Sequence, residues 1–243
     1  LAPDVLSLVS TFIDGLVSAS QWTPLDVLVA PFIPEVQADA LLNLKGADPF
    51  PGPPVEVNSP TWTEKLGYTF NGSNNYVNET FAPSISGTNF QNNNCSFGCF
   101  IPSHPGASGG GKSGCVDGTA NHALAIIPRL TDSGPNGNIS QAATFTTTFP
   151  ATNGVGFFCV DRSTSTAANF LKNGVQATQQ GNLAGGLSTQ SIYIGAFNNN
   201  GAAANFHNAQ YAAWCLSNHR TAANWVSIYN LLQAAYDARQ LTA

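Results

Sequence analysis

The sequence predicts a mainly β protein, an antiparallel β-sandwich with a helical segment at its N-terminus and a helix at its C-terminus. Three observations carry this. From Val55 onward, short runs of β-forming residues are separated by Asn-Gly, Pro and Gly turn signals. Charged residues make up only 9% of the 243, and polarity comes instead from Asn, Ser, Thr, Gln and Gly. Apolar residues recur at helical spacing only toward the two ends of the chain.

Pro3 and Asp4 open the first helix, in which Val5, Leu6, Val9, Phe12, Ile13 and Leu16 form one stripe ending near Ser18–Ser20. Asp26–Ala30 reads as a short strand stopped by Pro31 and Pro34, and Gln37–Leu44 as a second short helix. The Pro- and Gly-rich Gly46–Pro54 then reads as a linker. Residues 1–54 are accordingly expected to form a helix–strand–helix appendage with its linker, and 55–243 the sandwich with its closing helix.

Within the sandwich, strands are expected at Thr61–Thr63, Gly67–Asn71, Tyr76–Val77, Cys95–Ile101, Ala123–Pro128, Ala142–Phe149 and Gly156–Asp161. Further strands are expected at Asn169–Leu171, Val175–Thr178, Ser191–Ala196 and Tyr211–Leu216. Asn173-Gly174 between two of them is a strong hairpin signal. Phe197–Gln210, rich in Asn, Gly and Ala, reads as a loop. Thr221 is a suitable N-cap for the last helix, Thr221–Arg239, whose stripe runs through Trp225, Ile228, Tyr229, Leu232, Ala235 and Tyr236.

Composition excludes several classes of function. The eight Lys and Arg are scattered, which argues against a nucleic-acid partner. No apolar run approaches the ~20 residues that cross a bilayer, so no membrane partner is expected. Five cysteines (Cys95, Cys99, Cys115, Cys159, Cys215) are compatible with one or two disulfides. Cys99–Cys115, which would close a Gly-rich loop, is the preferred pair, with connectivity left open.

Motifs for specific chemistry are mostly misleading. Gly106–Ser113 (GASGGGKS) fits the phosphate-loop pattern by letter, but Pro102 and Pro105 precede it and poor helix material follows, so an ordinary loop is expected. His104, His122, His207 and His219 lack ligand spacing, and the cysteines lack zinc-type pairs. No Gly-x-Ser-x-Gly elbow is present. The sequons at Asn71, Asn78, Asn94 and Asn138 are those expected by chance in an Asn-rich chain.

The order of several segments does carry a resemblance. NGSNNYVN at Asn71–Asn78, SIYIGAFNNNG at Ser191–Gly201, the strand Tyr211–Leu216 and the helix after it resemble the concanavalin A-like lectin/glucanase superfamily, within it the laminin-G-like jelly rolls. More narrowly, ALLNLKG followed by NSPTWTEKLGYTFNGSNNYVNETFAPS and NFQNNNCSFGCFI is similar to proteins found in tailed bacteriophages and bacterial genomes. The resemblance spans nearly the whole chain and implies a two-sheet antiparallel jelly roll. It further implies calcium at the sandwich rim, for which Asp117 or Asp161 would serve, although no clustered acidic loop supports it. The paired carboxylates of the superfamily's glucanases have no counterpart here.

These readings lead to a non-enzymatic structural protein without a cofactor, located in a virion or outside the cell. Its partners would be copies of itself and other virion or filament proteins. The helix stripe must be buried, so residues 1–44 are expected to dock to neighbours, and deleting Leu1–Ser20 to abolish assembly while the sandwich still folds. The alternative is an extracellular glycan-binding adhesin or filament subunit. In it, Asn198, Asn199 and Asn200, with Phe197 and His207, would contact a cell-surface glycan.

Overall fold

The computed structural model describes residues 3–46, 52–105, 110–129, 134–139, 154–180 and 185–241. It is mainly β, with one helix at each end, α1 (Pro3–Ser18) and α2 (Ala222–Leu241). No helix among the described residues is long and apolar enough to cross a membrane.

Six strands make the first sheet, in the spatial order β1 (Leu25–Val29), β17 (Ala213–Ser217), β6 (Cys95–Ile101), β10 (Gly156–Thr164), β11 (Ala167–Lys172) and β12 (Val175–Gln180). The second sheet runs β15 (Ala202–Ala204), β14 (Phe197–Asn199), β7 (Ser113–Val116), β13 (Tyr193–Ile194), β5 (Tyr76–Asn78) and β2 (Val55–Val57). On it β8 (Leu124–Ile127) pairs with both β7 and β9 (Asn136–Ile139). A small third sheet joins β16 (Gln210–Tyr211), β4 (Gly67–Thr69) and β3 (Thr61–Thr63). Pairing is antiparallel except between β14 and β7.

Two apolar layers explain why the central strands look uniformly hydrophobic. On β6, Cys95, Phe97, Cys99 and Ile101 face the other sheet, while Phe100 faces the helices. On β10, Phe158 and Val160 point inward, and Phe157 and Cys159 outward. Trp214 and Leu216 of β17 likewise oppose Ala213 and Cys215. With both faces buried, the usual alternation of apolar and polar residues is lost. The outer layer is closed by Val5, Phe12 and Leu16 of α1 with Trp225, Ile228, Leu232 and Ala235 of α2. The helices touch where Gly15 meets Leu231, because a Cβ on Gly15 would lie 2.6 Å from that leucine's Cδ2.

The N-terminal segment therefore does not stand off as an appendage. β1 pairs with β17 and carries Val27 and Val29 into the inter-sheet core, while α1 supplies part of the helical layer. Of the stripe expected to dock to neighbours, Val5, Phe12 and Leu16 are buried within the chain, Val9 and Ile13 are partly buried, and Leu6 is exposed.

The expected helix Gln37–Leu44 is only a 3-10 turn, Gln37–Asp39. Asn43 accounts for the difference. Its Oδ1 accepts the Leu28 amide at 2.9 Å and its Nδ2 donates to the Asp26 carbonyl at 3.2 Å. These contacts, with the bridge from Asn43 to Val29, fix the segment against the otherwise open edge of β1 between two turns.

Asn173-Gly174 makes the expected hairpin, with φ of 52° and 77° at the two turn residues. Ser191–Ala196 is a strand only at Tyr193–Ile194, because Gly195 turns the chain at φ 81°. Phe197–Gln210 is not simply a loop, since β14 and β15 form a hairpin across Asn200-Gly201, with φ of 51° and 90°. Tyr211–Leu216 divides at Ala212, where the chain passes from the third sheet to the first. The expected strand Ala142–Phe149 lies outside the described residues.

Cys99 and Cys115 are not bonded. All five cysteines are buried free thiols, and these two sit on β6 and β7, strands of different sheets. Burial pushes the Cys115 thiol up to about 12, which keeps it neutral and unreactive.

Candidate functional site

The five residues singled out for glycan contact are divided by the β14–β15 hairpin. Asn198 is buried, its Nδ2 donating to the Ser191 carbonyl at 2.8 Å and its Oδ1 accepting the Gly201 amide at 2.8 Å. It braces the hairpin. Asn199 and Asn200 are exposed, and Asn200 occupies the left-handed turn position. Phe197 is nearly covered, with the Lys112 ammonium 5.2 Å from its ring centre.

His207 is fully buried, which is incompatible with direct glycan contact in this arrangement. Its Nδ1 lies 2.7 Å from the Tyr211 hydroxyl, and its Nε2 lies 2.9 Å from Nε2 of half-buried His104. The Ser113 hydroxyl continues the chain, donating to Tyr211 at 2.9 Å and accepting the Gly195 amide at 2.9 Å. Burial, with His104 a lesser cause, lowers the His207 pKa to about 3, so this ring is neutral. Ser113 is thus a core residue opening β7, which removes the phosphate-loop reading of the described part of GASGGGKS. Gly106–Gly109 lie outside the described residues.

The second sheet has a more coherent surface. Val77, Ile192, Ile194, Cys115, Leu124, Ile126 and Ile139 turn into the inter-sheet core. Tyr76 on β5 and Tyr193 on β13 alternate with them and so share the outer face. Their rings stack with centres 4.4 Å apart and planes 29° apart. Phe206, in the loop after β15, is tilted against Tyr76 with ring centres 6.3 Å apart. Tyr193 is buried, whereas Tyr76 and Phe206 are partly open to solvent. Burial, and secondarily the neighbouring Tyr76, pushes the Tyr193 hydroxyl up to about 12, so it stays protonated as a donor.

The register extends this face. Tyr193 and Phe197 both lie beside Gly114, from β13 and β14, and Asn78 lies opposite Tyr193. A Cβ on Gly114 would meet the Leu124 carbonyl oxygen at 1.9 Å, so only glycine fits between them. Both helices pack on the first sheet, leaving this outer face without a helix over it. Stacked rings flanked by amides and hydroxyls can cover the C–H face of a sugar while bonding its hydroxyls. Sequence reasoning missed Tyr76, Tyr193 and Phe206. The available signal was Tyr76 and Tyr193 each placed next to an inward-facing aliphatic residue.

The aspartates considered for calcium are spent internally. Asp117 accepts from His122 Nδ1 at 2.9 Å and from the Thr189 and Thr119 amides at 3.0 and 3.1 Å. Asp161, fully buried, accepts from Ser96 Oγ, from the Arg220 amide at 3.0 Å and from His219 Nδ1 at 2.6 Å. Among the described residues, no three His, Cys, Asp or Glu side chains form a group able to hold a metal.

No protein-family model matches the sequence, and no curated protein matches it. Solved structures do share the fold. Domain 4 of AbnA, a GH43 extracellular arabinanase from Geobacillus stearothermophilus, was solved with arabinotriose. It has a TM-score of 0.59 and 11% identity, covering 84% of this chain and 98% of that one. Trypanosoma rangeli sialidase, solved with 2,3-difluorosialic acid as a covalent intermediate, has a TM-score of 0.58 and 10% identity. That match covers 93% of this chain but only 37% of the sialidase. At such identities the likeness is one of fold, and the fold is a β-sandwich.

Proposed function

We propose that this chain is a non-enzymatic, extracellular glycan-binding module that takes a sugar on the outer face of its second sheet. The observation that carries the proposal is the stacked pair of Tyr193 and Tyr76, with Phe206 tilted against Tyr76, on a face that neither helix covers. Support also comes from the fold, which is shared with a domain solved with arabinotriose and with a sialidase. Asp117 and Asp161, occupied by donors of their own chain, fit a binding role better than a hydrolytic one. Asn198 and His207 support the scaffold, and Asn199, Asn200 and Phe197 lie toward its margin.

A glycan array tests this. The native chain should be retained on a defined subset of glycans. Tyr76→Ala, which removes the partly open ring of the stack, should weaken retention by at least roughly five-fold, since an aromatic contact contributes about 1 kcal/mol beyond area burial. Absence of specific retention across neutral and acidic glycans would refute the proposal. Replacing Asn198–Asn200 together is a poor test because Asn198 is a bracing residue.

A structural role in a virion or filament is the second reading. What favours it is an apolar hollow of about 170 Å³ bounded by Val9, Ala30, Ile33, Pro34, Leu42 and Leu44. Leu6, Val36 and Leu42 are more than half exposed on the same N-terminal segment. In this reading the segment docks through these residues and not through the buried Val5, Phe12 and Leu16. Sedimentation of the native chain should then reveal concentration-dependent assembly, and a strict monomer would remove the reading.

A further inference from the structure

We propose that His104 and His207 form a binding site for a late first-row divalent transition ion, Cu²⁺ or Ni²⁺. They are 103 residues apart in sequence, yet their Nε2 atoms face each other at 2.9 Å. The ring centres are 4.9 Å apart with planes at 50°. Backbone packing makes room for the pair: a Cβ on Gly111 would lie 2.6 Å from Cδ2 of His207, and one on Gly154 would lie 2.6 Å from Cδ2 of His104. The His207 ring is fully buried and the His104 ring partly exposed.

The bite distance selects the ion. Two nitrogens 2.9 Å apart, each about 2.05 Å from a metal, subtend an angle of about 90° there. This is the cis angle of square-planar and octahedral complexes, which Cu²⁺ and Ni²⁺ favour with nitrogen ligands. A tetrahedral zinc ion would need the nitrogens about 3.35 Å apart, so the pair would have to open.

The surrounding network is suited to the exchange. In the metal-free pair one proton lies between the two Nε2 atoms. On binding it moves to the far nitrogen of its own ring, so both rings stay neutral and no net proton is released. If that ring is His207, its Nδ1–H donates to Tyr211, and the Tyr211 hydroxyl can turn to Ser113, 2.9 Å away. An outer-shell hydrogen bond of this kind fixes the tautomer of a ligating histidine. Arg129, whose charge opposes protonation of His104, also opposes a bare dication. An anion or hydroxide on the open coordination positions would answer both charges. Among the described residues no third His, Cys, Asp or Glu side chain joins the pair.

Titration of the native chain with Cu²⁺, followed by electron paramagnetic resonance, tests the site without reference to glycan binding. One equivalent should bind with superhyperfine splitting from two nitrogens, raise the thermal unfolding midpoint, and outcompete Zn²⁺. His104→Gln, at the half-exposed position, should lower Cu²⁺ affinity by at least about a hundred-fold. His122→Gln and His219→Gln should not. No saturable binding, a single-nitrogen spectrum in the native chain, or unchanged affinity in His104→Gln would each overturn the site. The first two readouts need no variant, so the test survives any misfolding of His104→Gln.

Discussion

Removal of residues 1–20 is expected to unfold the remainder of the chain or reduce it to a state without fixed packing. Sequence alone predicted the opposite, a sandwich that folds and fails only to assemble. Three large α1 side chains, Val5, Phe12 and Leu16, are almost wholly buried against the first sheet and α2. At about 1.5–3 kcal/mol for each buried side chain, their loss approaches the whole stability of a typical domain, about 5–15 kcal/mol. The loss would spread beyond the helix. The Leu16 carbonyl accepts the amides of Gln21 and Trp22, and Gln21 in turn holds the buried Arg220 guanidinium through its carbonyl at 2.8 Å and its side-chain oxygen. The truncated chain should show loss of near-ultraviolet circular dichroism and binding of a hydrophobic dye. A cooperative urea transition with an unchanged midpoint would disprove the integration of α1.

The second large effect is expected at Asp161. Its carboxylate, on the interior strand β10, receives Ser96 Oγ, the Arg220 amide and His219 Nδ1. Asp161→Ala should cost about 3–5 kcal/mol, the range found when one partner of a buried polar pair is removed and the other donors remain. Stability should also change its pH dependence. The hydrogen bond and charge of Asp161 raise the His219 pKa above its ordinary 6.5. A raised pKa means that the folded state holds the proton more tightly. The stabilisation is complete below the unfolded value near 6.5 and is lost as pH rises through the folded value. Its size is modest because about a third of the imidazole faces solvent. Urea midpoints of the native chain should therefore fall as pH rises from about 6.5, and Asp161→Ala should lose that slope. A native chain whose midpoint is flat there would disprove the linkage.

The site was less legible in the sequence than the fold. Tyr76 and Tyr193 are 117 residues apart and meet only because β13 pairs with β5. The same holds for His104 and His207, whose spacing gives no ligand motif. Asn198, chosen for its amide, is consumed by its own hairpin because Asn200-Gly201 turns the chain back and directs the side chain at Ser191. Local pattern reports which residues prefer a turn. It does not report which amides remain free once the turn is made.

By itself the sequence determined the β-sandwich class, the two terminal helices, the Asn173-Gly174 hairpin and the strand Cys95–Ile101. Periodicity, turn chemistry and capping are properties of neighbouring residues, so they are written locally. Only the tertiary structure decided that β1 and α1 belong to the body of the sandwich, that Cys99 and Cys115 stay apart, and that three aromatic rings gather on one face. Each of these depends on which strands become neighbours. That is settled by burying apolar surface on both faces of the first sheet at once, a condition that no short stretch of the chain can express.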